Sequence, residues 1–230
     1  MSADSEDTLD LRLTGEARRF IAGDPPAPRT TDLLDGLPGW GPVATAAGPF
    51  HLVPVQEERD LALLARWMND PAVAAVWGLG GPRTVTAAHL AELRRTDGRS
   101  VPCLGVLGGV VMSYWEIYRA DLDLIARHYR ALPHDTGVRL LIGRTADRGH
   151  GLGTLLLRTV ADLVLDRRPH CGRVIADPDL RNIPAIAAHL GAGFRLAAEL
   201  APSGTQLAPS GRQLALLMRE RALRGVLQGR

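Results

Sequence analysis

The segment that most constrains the fold is a glycine-rich turn between a strand and a helix. Residues 138–144 form a short apolar run that predicts a buried strand, and residues 153–166 place apolar side chains at helical spacing. Between them lies Arg148-Gly149-His150-Gly151-Leu152-Gly153. The N–H groups of a helix's first turn have no partner within the helix, and the helix dipole is positive there. Because glycines let the backbone approach an anion closely, this turn predicts a phosphate-binding site.

Two common phosphate-binding loops are excluded by the residues around this turn. A P-loop needs Gly-Lys followed by Ser or Thr, which the turn lacks. A dinucleotide-binding fold needs parallel strands, whereas residues 101–107 and 110–118 are strand-like runs separated only by Gly108-Gly109. Two glycines with positive φ suit a two-residue hairpin, so these runs predict an antiparallel pair. A glycine-rich turn alone is weak evidence for phosphate, since any tight junction uses glycine.

The rest of the chain alternates strands with helices. Strands are predicted at residues 51–55, 173–177, 194–199 and 213–219, and helices at 57–69, 84–95 and 183–190, with a short helical piece at 121–129. Asn69-Asp70-Pro71 is interpreted as the stop of the first helix. This order predicts an α/β (α+β) fold with a mixed, mainly antiparallel central sheet flanked by helices. We expect one domain at residues 48–222, an N-terminal extension at 1–47 with a helix at 9–21, and a tail at 223–230.

Composition excludes several classes of function. The chain has 27 basic and 25 acidic residues and a formal charge of +2, which favours neither a nucleic-acid nor a membrane-surface partner. Its two cysteines, Cys103 and Cys171, exclude a disulfide framework and a four-cysteine zinc site. The first ten residues lack the apolar core of a secretory signal, and the nearly apolar stretch at 101–115 is too short for a bilayer. We therefore expect a cytoplasmic protein.

An imperfect tandem repeat lies between the last two predicted strands. LAPSGTQ at residues 200–206 is followed by LAPSGRQ at 207–213. Two copies of seven residues cannot form a solenoid, so they are interpreted as a duplicated surface loop. A loop that covers a substrate is the less favoured alternative.

The glycine turn resembles the pyrophosphate-binding loop of the GNAT superfamily of N-acetyltransferases. That loop carries Arg or Gln, then Gly, then Gly or Ala, here Arg148, Gly151 and Gly153. Downstream, Asn182 resembles the family residue whose side chain contacts the pantetheine arm of CoA. Seven residues later the family often has a Tyr that acts as acid on the departing thiolate. This chain has His189 at that position.

Further motifs resemble the siderophore branch of the superfamily, the hydroxylysine and hydroxyornithine acyltransferases of hydroxamate pathways. Each motif is ordinary by itself, and the specificity lies in their order and spacing between residues 51 and 200. They are WMNDP at 67–71, Trp77, Tyr114-x-Glu116-Ile117-Tyr118, Asp123 with Tyr129, Asp135-x-Gly137, and Asp177-Pro178-Asp179-x-Arg181-Asn182.

The resemblance implies direct acetyl transfer from acetyl-CoA to a small-molecule amine, with no metal. It also implies strands that splay apart after residues 138 and 173, with backbone N–H groups that polarise the thioester carbonyl. The residues it assigns to CoA binding are Ile142, Gly143, Arg148, Gly149, His150, Gly151, Leu152, Gly153, Thr154 and Asn182. Those assigned to the substrate are Glu116, Trp77, Tyr118 and Arg139, and the candidate catalytic residues are Asp177, His189 and Arg139.

Position 139 departs from that branch, which usually has a His there, paired with the Asp that corresponds to Asp177. Arg139 has three interpretations: it binds a carboxylate of the substrate or acyl group, it marks weakened catalysis, or it forms a partly buried salt bridge with Asp177. A lysine amine, with a pKa of about 10.4, must lose a proton before it attacks. A hydroxylated amine arrives neutral, so loss of the histidine base is tolerable if Asp177 or a water takes the proton after attack.

Alternatives stay open for residues and for function. His189 also fits a polar residue on the outer face of its helix, and Asn182 fits an N-cap ahead of Pro184. Trp77 also fits a core or cleft-wall aromatic. The functional alternatives are acetylation of an aminoglycoside or another small amine, and a CoA-binding subunit with weakened catalysis. A monomer and a homodimer are both compatible with the sequence.

Overall fold

A computed structural model of the chain describes residues 34–95, 98–201 and 212–221, which form an eight-stranded sheet and five α-helices. The strands are β1 Val43–Thr45, β2 Gly48–Pro54, β3 Ser100–Leu107, β4 Val110–Arg119, β5 Thr136–Ile142, β6 Arg173–Ala176, β7 Arg195–Leu200 and β8 Leu214–Glu220. The α-helices are α1 Glu57–Met68, α2 Pro71–Trp77, α3 Arg83–Arg94, α4 Leu152–Arg167 and α5 Ile183–Gly191. Short 3-10 helices cover Leu34–Trp40, Ala120–Leu122, Leu124–His128 and Thr145–Asp147.

The sheet has the strand order β1-β2-β3-β4-β5-β6-β8-β7. Neighbouring strands are antiparallel except β5 and β6, which are parallel. The predicted mixed, mainly antiparallel sheet is therefore confirmed. The turn between β3 and β4 has Gly108 at φ +56° and Gly109 at φ +82°, the positive values that a two-residue hairpin requires.

Helices cover both faces of the sheet. On one face α4 buries Leu156, Val160 and Val164 against the sheet, in the same cluster as Trp115 of β4. On the other face α1, α2 and α3 pack over Tyr114. Because side chains alternate along a strand, Glu116 and Tyr118 share the face of Tyr114. The charged residues of the site therefore lie on the face that α1 to α3 cover.

β5 and β6 pair only at their beginnings. Their parallel register joins Thr136 with Val174 and Gly137 with Ile175, and it ends there. β5 continues to Ile142 along β4 alone. The second half of β5 therefore has one edge that no strand covers, as the resemblance implied.

The sequence analysis predicts no helix at α2, because it interprets Asp70-Pro71 only as the end of the preceding helix. The same residues also begin a helix. The Asp70 side chain accepts the N–H of Ala72 at 3.0 Å as the N-cap, and Pro71 occupies the first turn. The helix ends at Gly78, whose φ of +70° is left-handed.

The N-terminal boundary differs from the expected one. Leu34, Leu37 and Trp40 are buried in the core cluster of α4, and β1 pairs with β2. Residues from 34 onward thus belong to the folded domain and not to an extension. The helix expected at residues 9–21 and most of the repeat at 200–213 lie outside the described residues. Within the described ranges, no helix has the length and apolar character needed to cross a membrane.

Candidate active site

The site is built on the uncovered edge of β5. The Gly143 N–H donates to the Met112 carbonyl of β4 at 2.8 Å. N–H groups of alternate residues point to the same edge of a strand, so those of Leu140 and Ile142 point away from β4, into the gap left by β6. Neither donor has a strand partner on this edge, so either one can donate to a carbonyl oxygen that gains negative charge. The N–H of Gly143, which was expected to contact CoA, is not available for this purpose because it takes part in the hydrogen bonding between β4 and β5.

A cavity of about 420 Å³ lies between this edge and the beginning of α4. Gly149 and Gly151 have φ of +81° and +78°, and a Cβ added to either would meet nothing within 4 Å. No side chain caps the first turn of α4. Open space, glycine backbone and uncapped N–H groups at the positive end of a 16-residue helix fit a diphosphate group. We call this space the donor cavity.

A larger cavity of about 820 Å³ contains a network of charged residues. Arg139 donates from Nε to Asp177 Oδ1 at 2.9 Å and from Nη2 to Asp177 Oδ2 at 2.7 Å. Its Nη1 donates to Glu116 Oε2 at 3.2 Å. The Tyr118 hydroxyl donates to Asp177 Oδ1 at 3.1 Å, and the Tyr118 ring lies 4.4 Å from the Arg139 guanidinium carbon. We call this space the acceptor cavity.

Glu116 is the most deeply buried carboxylate of the network, with 1% of its surface exposed. Besides Arg139, it accepts hydrogen bonds from His89 Nε2 at 2.6 Å and from the Tyr114 hydroxyl at 3.1 Å. Burial alone would raise the pKa of Glu116, but the His89 hydrogen bond and the Arg139 charge outweigh burial and lower it to about 2. Glu116 is therefore ionised and saturated with donors.

His189 lies where the two cavities meet and lines both of them. Its Nδ1 is 2.8 Å from the Ala185 carbonyl oxygen, and its ring packs edge-on against Phe194 at 5.1 Å. A carbonyl can only accept, so Nδ1 carries the proton and Nε2 keeps a lone pair. Nε2 is buried and has no hydrogen-bond partner among the described residues. Burial lowers the pKa of His189 to about 4, so the ring is neutral at pH 7.

The family model of the GNAT acetyltransferase domain matches residues 56–201, which include every element of the two cavities except Arg212 and β8. The chain belongs to the GNAT family of acetyltransferases. This membership confirms the predicted family and the predicted acyl-CoA-dependent N-acyltransferase.

The chain is similar to siderophore-type GNAT enzymes. It is 37% identical to lysine N-acyltransferase MbtK of Mycolicibacterium paratuberculosis over 159 residues, which are 69% of this chain and 71% of the relative. It is 35% identical to the N(6)-hydroxylysine O-acetyltransferase of Escherichia coli over 141 residues, 61% of this chain and 44% of that protein.

A solved structure supports the GNAT fold. The crystal structure of an uncharacterised protein from Bacillus halodurans superposes with a TM-score of 0.72 at 26% identity, and the match covers 81% of this chain and 92% of that one. The predicted GNAT-type architecture is confirmed by this agreement.

Most of the GNAT residues predicted for CoA line the donor cavity. They are Ile142, Arg148, Gly149, Gly151, Gly153, Thr154 and Asn182. Gly143 and Leu152 instead pack into the protein: a Cβ on Gly143 would lie 2.1 Å from the Trp67 ring, and Leu152 contacts the core beside α4. His150 is exposed and does not line the cavity. Asn182 is the N-cap of α5, accepting the Ala185 N–H at 3.2 Å, and it also lines both cavities.

The Arg148 side chain differs from the free cation expected beside a phosphate. Its Nε donates to the Ile142 carbonyl at 3.0 Å and its Nη2 to the Gly143 carbonyl at 2.8 Å. Its Nη1 contacts Asp70 at 3.1 Å. In this GNAT domain Arg148 thus joins the end of β5 to the beginning of α2.

The structure contains the salt bridge that is the third interpretation of Arg139. The guanidinium forms a bidentate salt bridge with Asp177, so Asp177 has no free oxygen with which to act as base. Tyr118 lies under Arg139 and does not line the acceptor cavity, whereas Trp77 and Glu116 do. His189 is buried, so its interpretation as an outer-face polar residue is wrong.

Sequence reasoning missed three residues of the acceptor cavity or its network. His89 of α3 and Tyr114 of β4 donate to Glu116, and Arg212 contributes a third arginine to the wall. Tyr114 belongs to a motif that the sequence analysis names. Its contact with Glu116 could have been inferred, because residues two apart on a strand share one face. Within the described residues, no group of three or more His, Cys, Asp or Glu is arranged to hold a metal ion.

Proposed function

We propose that the chain transfers an acyl group, first of all acetyl, from CoA to the hydroxylated side-chain amine of lysine or ornithine in hydroxamate siderophore biosynthesis. The similarity to a lysine N-acyltransferase and to an N(6)-hydroxylysine O-acetyltransferase supports this proposal. The reducing compartment expected from two buried, unpaired cysteines supports a cytoplasmic location.

The observation that carries the proposal is the Arg139–Asp177 salt bridge. Arg139 stands where the branch that the sequence resembles usually has a histidine base, and the bridge engages both oxygens of Asp177. A lysine side chain, with a pKa of about 10.4, would then remain protonated at neutral pH and could not attack. A hydroxylamine is far less basic and enters with its nitrogen lone pair free. The site therefore favours a hydroxylated amine over its parent amine.

The chain's own groups support a direct transfer. The amine nitrogen would form a bond to the thioester carbonyl carbon while the bond from that carbon to sulfur breaks. A free N–H group on the uncovered edge of β5, that of Leu140 or that of Ile142, would stabilise the oxygen that becomes negative. His189 Nε2 would accept the proton that the nitrogen loses and pass it to the departing thiolate. This role adds a base step before the predicted acid step, because the neutral ring presents a lone pair.

A substrate comparison tests the proposal. We expect the protein with acetyl-CoA to convert N6-hydroxylysine or N5-hydroxyornithine to a hydroxamate, detected by its ferric complex, at least about tenfold faster at pH 7 than it acetylates lysine or ornithine. Acetylation of kanamycin without any hydroxamate formation would instead support the aminoglycoside alternative. Acetyl-CoA binding with no turnover of any amine would support the CoA-binding subunit.

A charge at the glycine turn tests the donor cavity. We expect Gly151→Asp to weaken acetyl-CoA binding by at least about tenfold, because a carboxylate beside the diphosphate repels it. Gly151→Asn is the matched control, since Asn has nearly the same shape and tolerates the left-handed backbone but carries no charge. Calorimetry should find the Asn variant much closer to the wild type. Equal affinities of the two variants would place the diphosphate elsewhere.

A further inference from the structure

Arg212 is a cation of the acceptor cavity that the sequence analysis did not single out. Its backbone position is fixed from two sides. The Leu180 N–H donates to the Gln213 carbonyl at 2.9 Å, and the Ala215 N–H donates to the Pro178 carbonyl at 2.9 Å. Arg212 therefore lies two residues before β8, next to hydrogen bonds that join the beginning of that strand to the segment after β6, and its side chain lines the cavity.

The other two arginines of the cavity are each neutralised by a carboxylate. Arg139 is held by Asp177 and Glu116. Arg181 forms a bidentate pair with Asp179, from Nε at 3.0 Å and from Nη2 at 2.7 Å. Neither guanidinium is therefore free to exchange its partner for a ligand without leaving a nearly buried carboxylate unpaired.

Arg212 differs from both. Its Nη1 donates to the Val76 carbonyl near the end of α2, and its terminal nitrogens lie about 4 Å from the place where a Cβ on Gly78 would be. Its Nε is buried and has no hydrogen-bond partner. In the part of the chain that the structure describes, no carboxylate lies within 4.0 Å of it. The Asp179 carboxylate interacts with its charge at longer range, since Arg212 contributes to the lowered pKa of Asp179, but that carboxylate is bound by Arg181. The Arg212 guanidinium therefore has donors that no carboxylate of the described residues contacts.

We infer that Arg212 is a subsite for a carboxylate of the acceptor. The guanidinium presents several donors in one plane and matches a carboxylate in a charge-assisted, bidentate contact. Arg212 lines the acceptor cavity and not the donor cavity, so the carboxylate belongs to the molecule that receives the acyl group. The inference rests on the proposed function and deepens it: it names the residue that binds the α-carboxylate of hydroxylated lysine or ornithine, and it predicts discrimination against hydroxylated diamines.

Decarboxylated analogues test the subsite without altering the protein. N-hydroxyputrescine and N-hydroxycadaverine differ from N5-hydroxyornithine and N6-hydroxylysine only by the carboxylate. With wild-type protein and acetyl-CoA, we expect kcat/KM to be at least about tenfold higher for the amino acid of each pair, mainly through KM. The carboxamides of the two amino acids should behave like the diamines, because they keep the size and lose the charge. Equal kcat/KM within a pair would overturn the subsite.

Variants test whether Arg212 causes the preference for the amino acid over the diamine. We expect Arg212→Met to reduce the amino acid to diamine ratio to about one, and Arg212→Lys to keep part of it. Arg66→Met is the control, since that arginine is exposed on α1 and lines neither cavity, and it should leave the ratio unchanged. A ratio that survives in Arg212→Met, or that collapses equally in Arg66→Met, would contradict the assignment.

Two further measurements separate the sources of a result. The rates with succinyl-CoA and butyryl-CoA test whether Arg212 binds a carboxylate of the acyl group. A preference for succinyl-CoA that is lost in Arg212→Met would overturn the acceptor assignment.

A protein that turns over no amine would reject the proposed function, and the subsite is then tested by binding. Calorimetry on the CoA-bound protein measures the affinities for each amino acid and its diamine. Carboxylate-dependent binding lost in Arg212→Met would still support the subsite, and equal binding of acid and diamine would reject it.

Discussion

Burial keeps His189 neutral, and one hydrogen bond determines its tautomer. Because Nδ1 donates to the Ala185 carbonyl, the neutral ring presents only an acceptor to the junction of the cavities. Its low pKa makes it a weak base for an amine at rest. The nitrogen of a hydroxylamine becomes strongly acidic once it has bonded to the carbonyl carbon, and a weak base suffices for that proton.

We expect His189→Gln to lower kcat for the hydroxylated substrate by about 10²-fold, within the usual range for a general base. The dissociation constant of acetyl-CoA should change by less than about threefold, which separates catalysis from donor binding. Stopped-flow rates and calorimetry measure the two quantities. His51→Gln, on β2 and outside both cavities, is the control for general effects of removing a histidine. A kcat within threefold of the wild type would exclude His189 as the base.

At the scale of elements, helix α2 is a wall shared by the two cavities. Val76 and Trp77 line both, and the beginning of the helix is fixed by Asp70. The Asp70 carboxylate caps the helix and contacts Arg148, and the hydrogen bond with Arg148 lowers the pKa of Asp70. This half-buried ion pair thus connects the cavity wall to the uncovered edge of β5.

We expect Asp70→Ala to raise KM for both substrates between about two- and tenfold and to lower the Tm, because cap and contact are both lost. Asp70→Ser keeps a capping oxygen but not the charge. Compared with Asp70→Ala, it should therefore regain most of the lost Tm, whereas its KM values should stay raised. Steady-state kinetics and thermal melts test both variants. If Asp70→Ser restores KM completely, the Arg148 contact has no role in positioning α2.

Local patterns were sufficient for most elements of this fold. The Gly108-Gly109 hairpin and the amphipathic α1, α3 and α4 carry their signals within a few residues, and their observed bounds differ from the predicted ones by at most two residues. β5 begins two residues earlier than predicted, because polar Thr136 and Gly137 precede its apolar run. α2 was missed because Asp-Pro ends one helix and begins the next without a loop between them.

Pairs distant in sequence could not be predicted from such patterns. Arg139 meets Asp177 across 38 positions, and Arg148 meets Asp70 across 78. Arginine and aspartate side chains can bind a ligand or form an ion pair with each other. Which of the two occurs here depends on how β5 packs against β6 and α2. The glycine turn was recognisable because its chemistry is backbone chemistry, which local sequence determines.

At the scale of the whole molecule, buried ionisable groups make stability depend on pH. The unfolded His189 binds a proton near pH 6.5, whereas the folded one does so only near pH 4. The unfolded state therefore binds more protons between these values, and stability falls as pH decreases from 6.5 to 4. The full loss from this group is roughly 3 kcal/mol. Glu116, whose folded pKa of about 2 lies below its ordinary value, adds a second loss as pH falls from about 4.5 to 2.

We expect the free energy of unfolding of the wild type, from urea titrations at pH 7, 6 and 5, to decrease by up to about 1.4 kcal/mol per pH unit through His189. His189→Gln should be less stable at pH 7 and show a flatter dependence. Parallel pH profiles of the two proteins would mean that His189 is not buried as a neutral ring.

The side-by-side arrangement of the two cavities has a kinetic consequence. They meet along Leu140, Ala185 and His189, so donor and acceptor would reach a common point without passing through one another's space. Neither molecule has to depart before the other arrives, and no protein group needs to carry the acyl in between. Both thiols of the chain lie buried in the interior, away from either lining. Such an enzyme works through a ternary assembly, and double-reciprocal rate plots should intersect instead of running parallel.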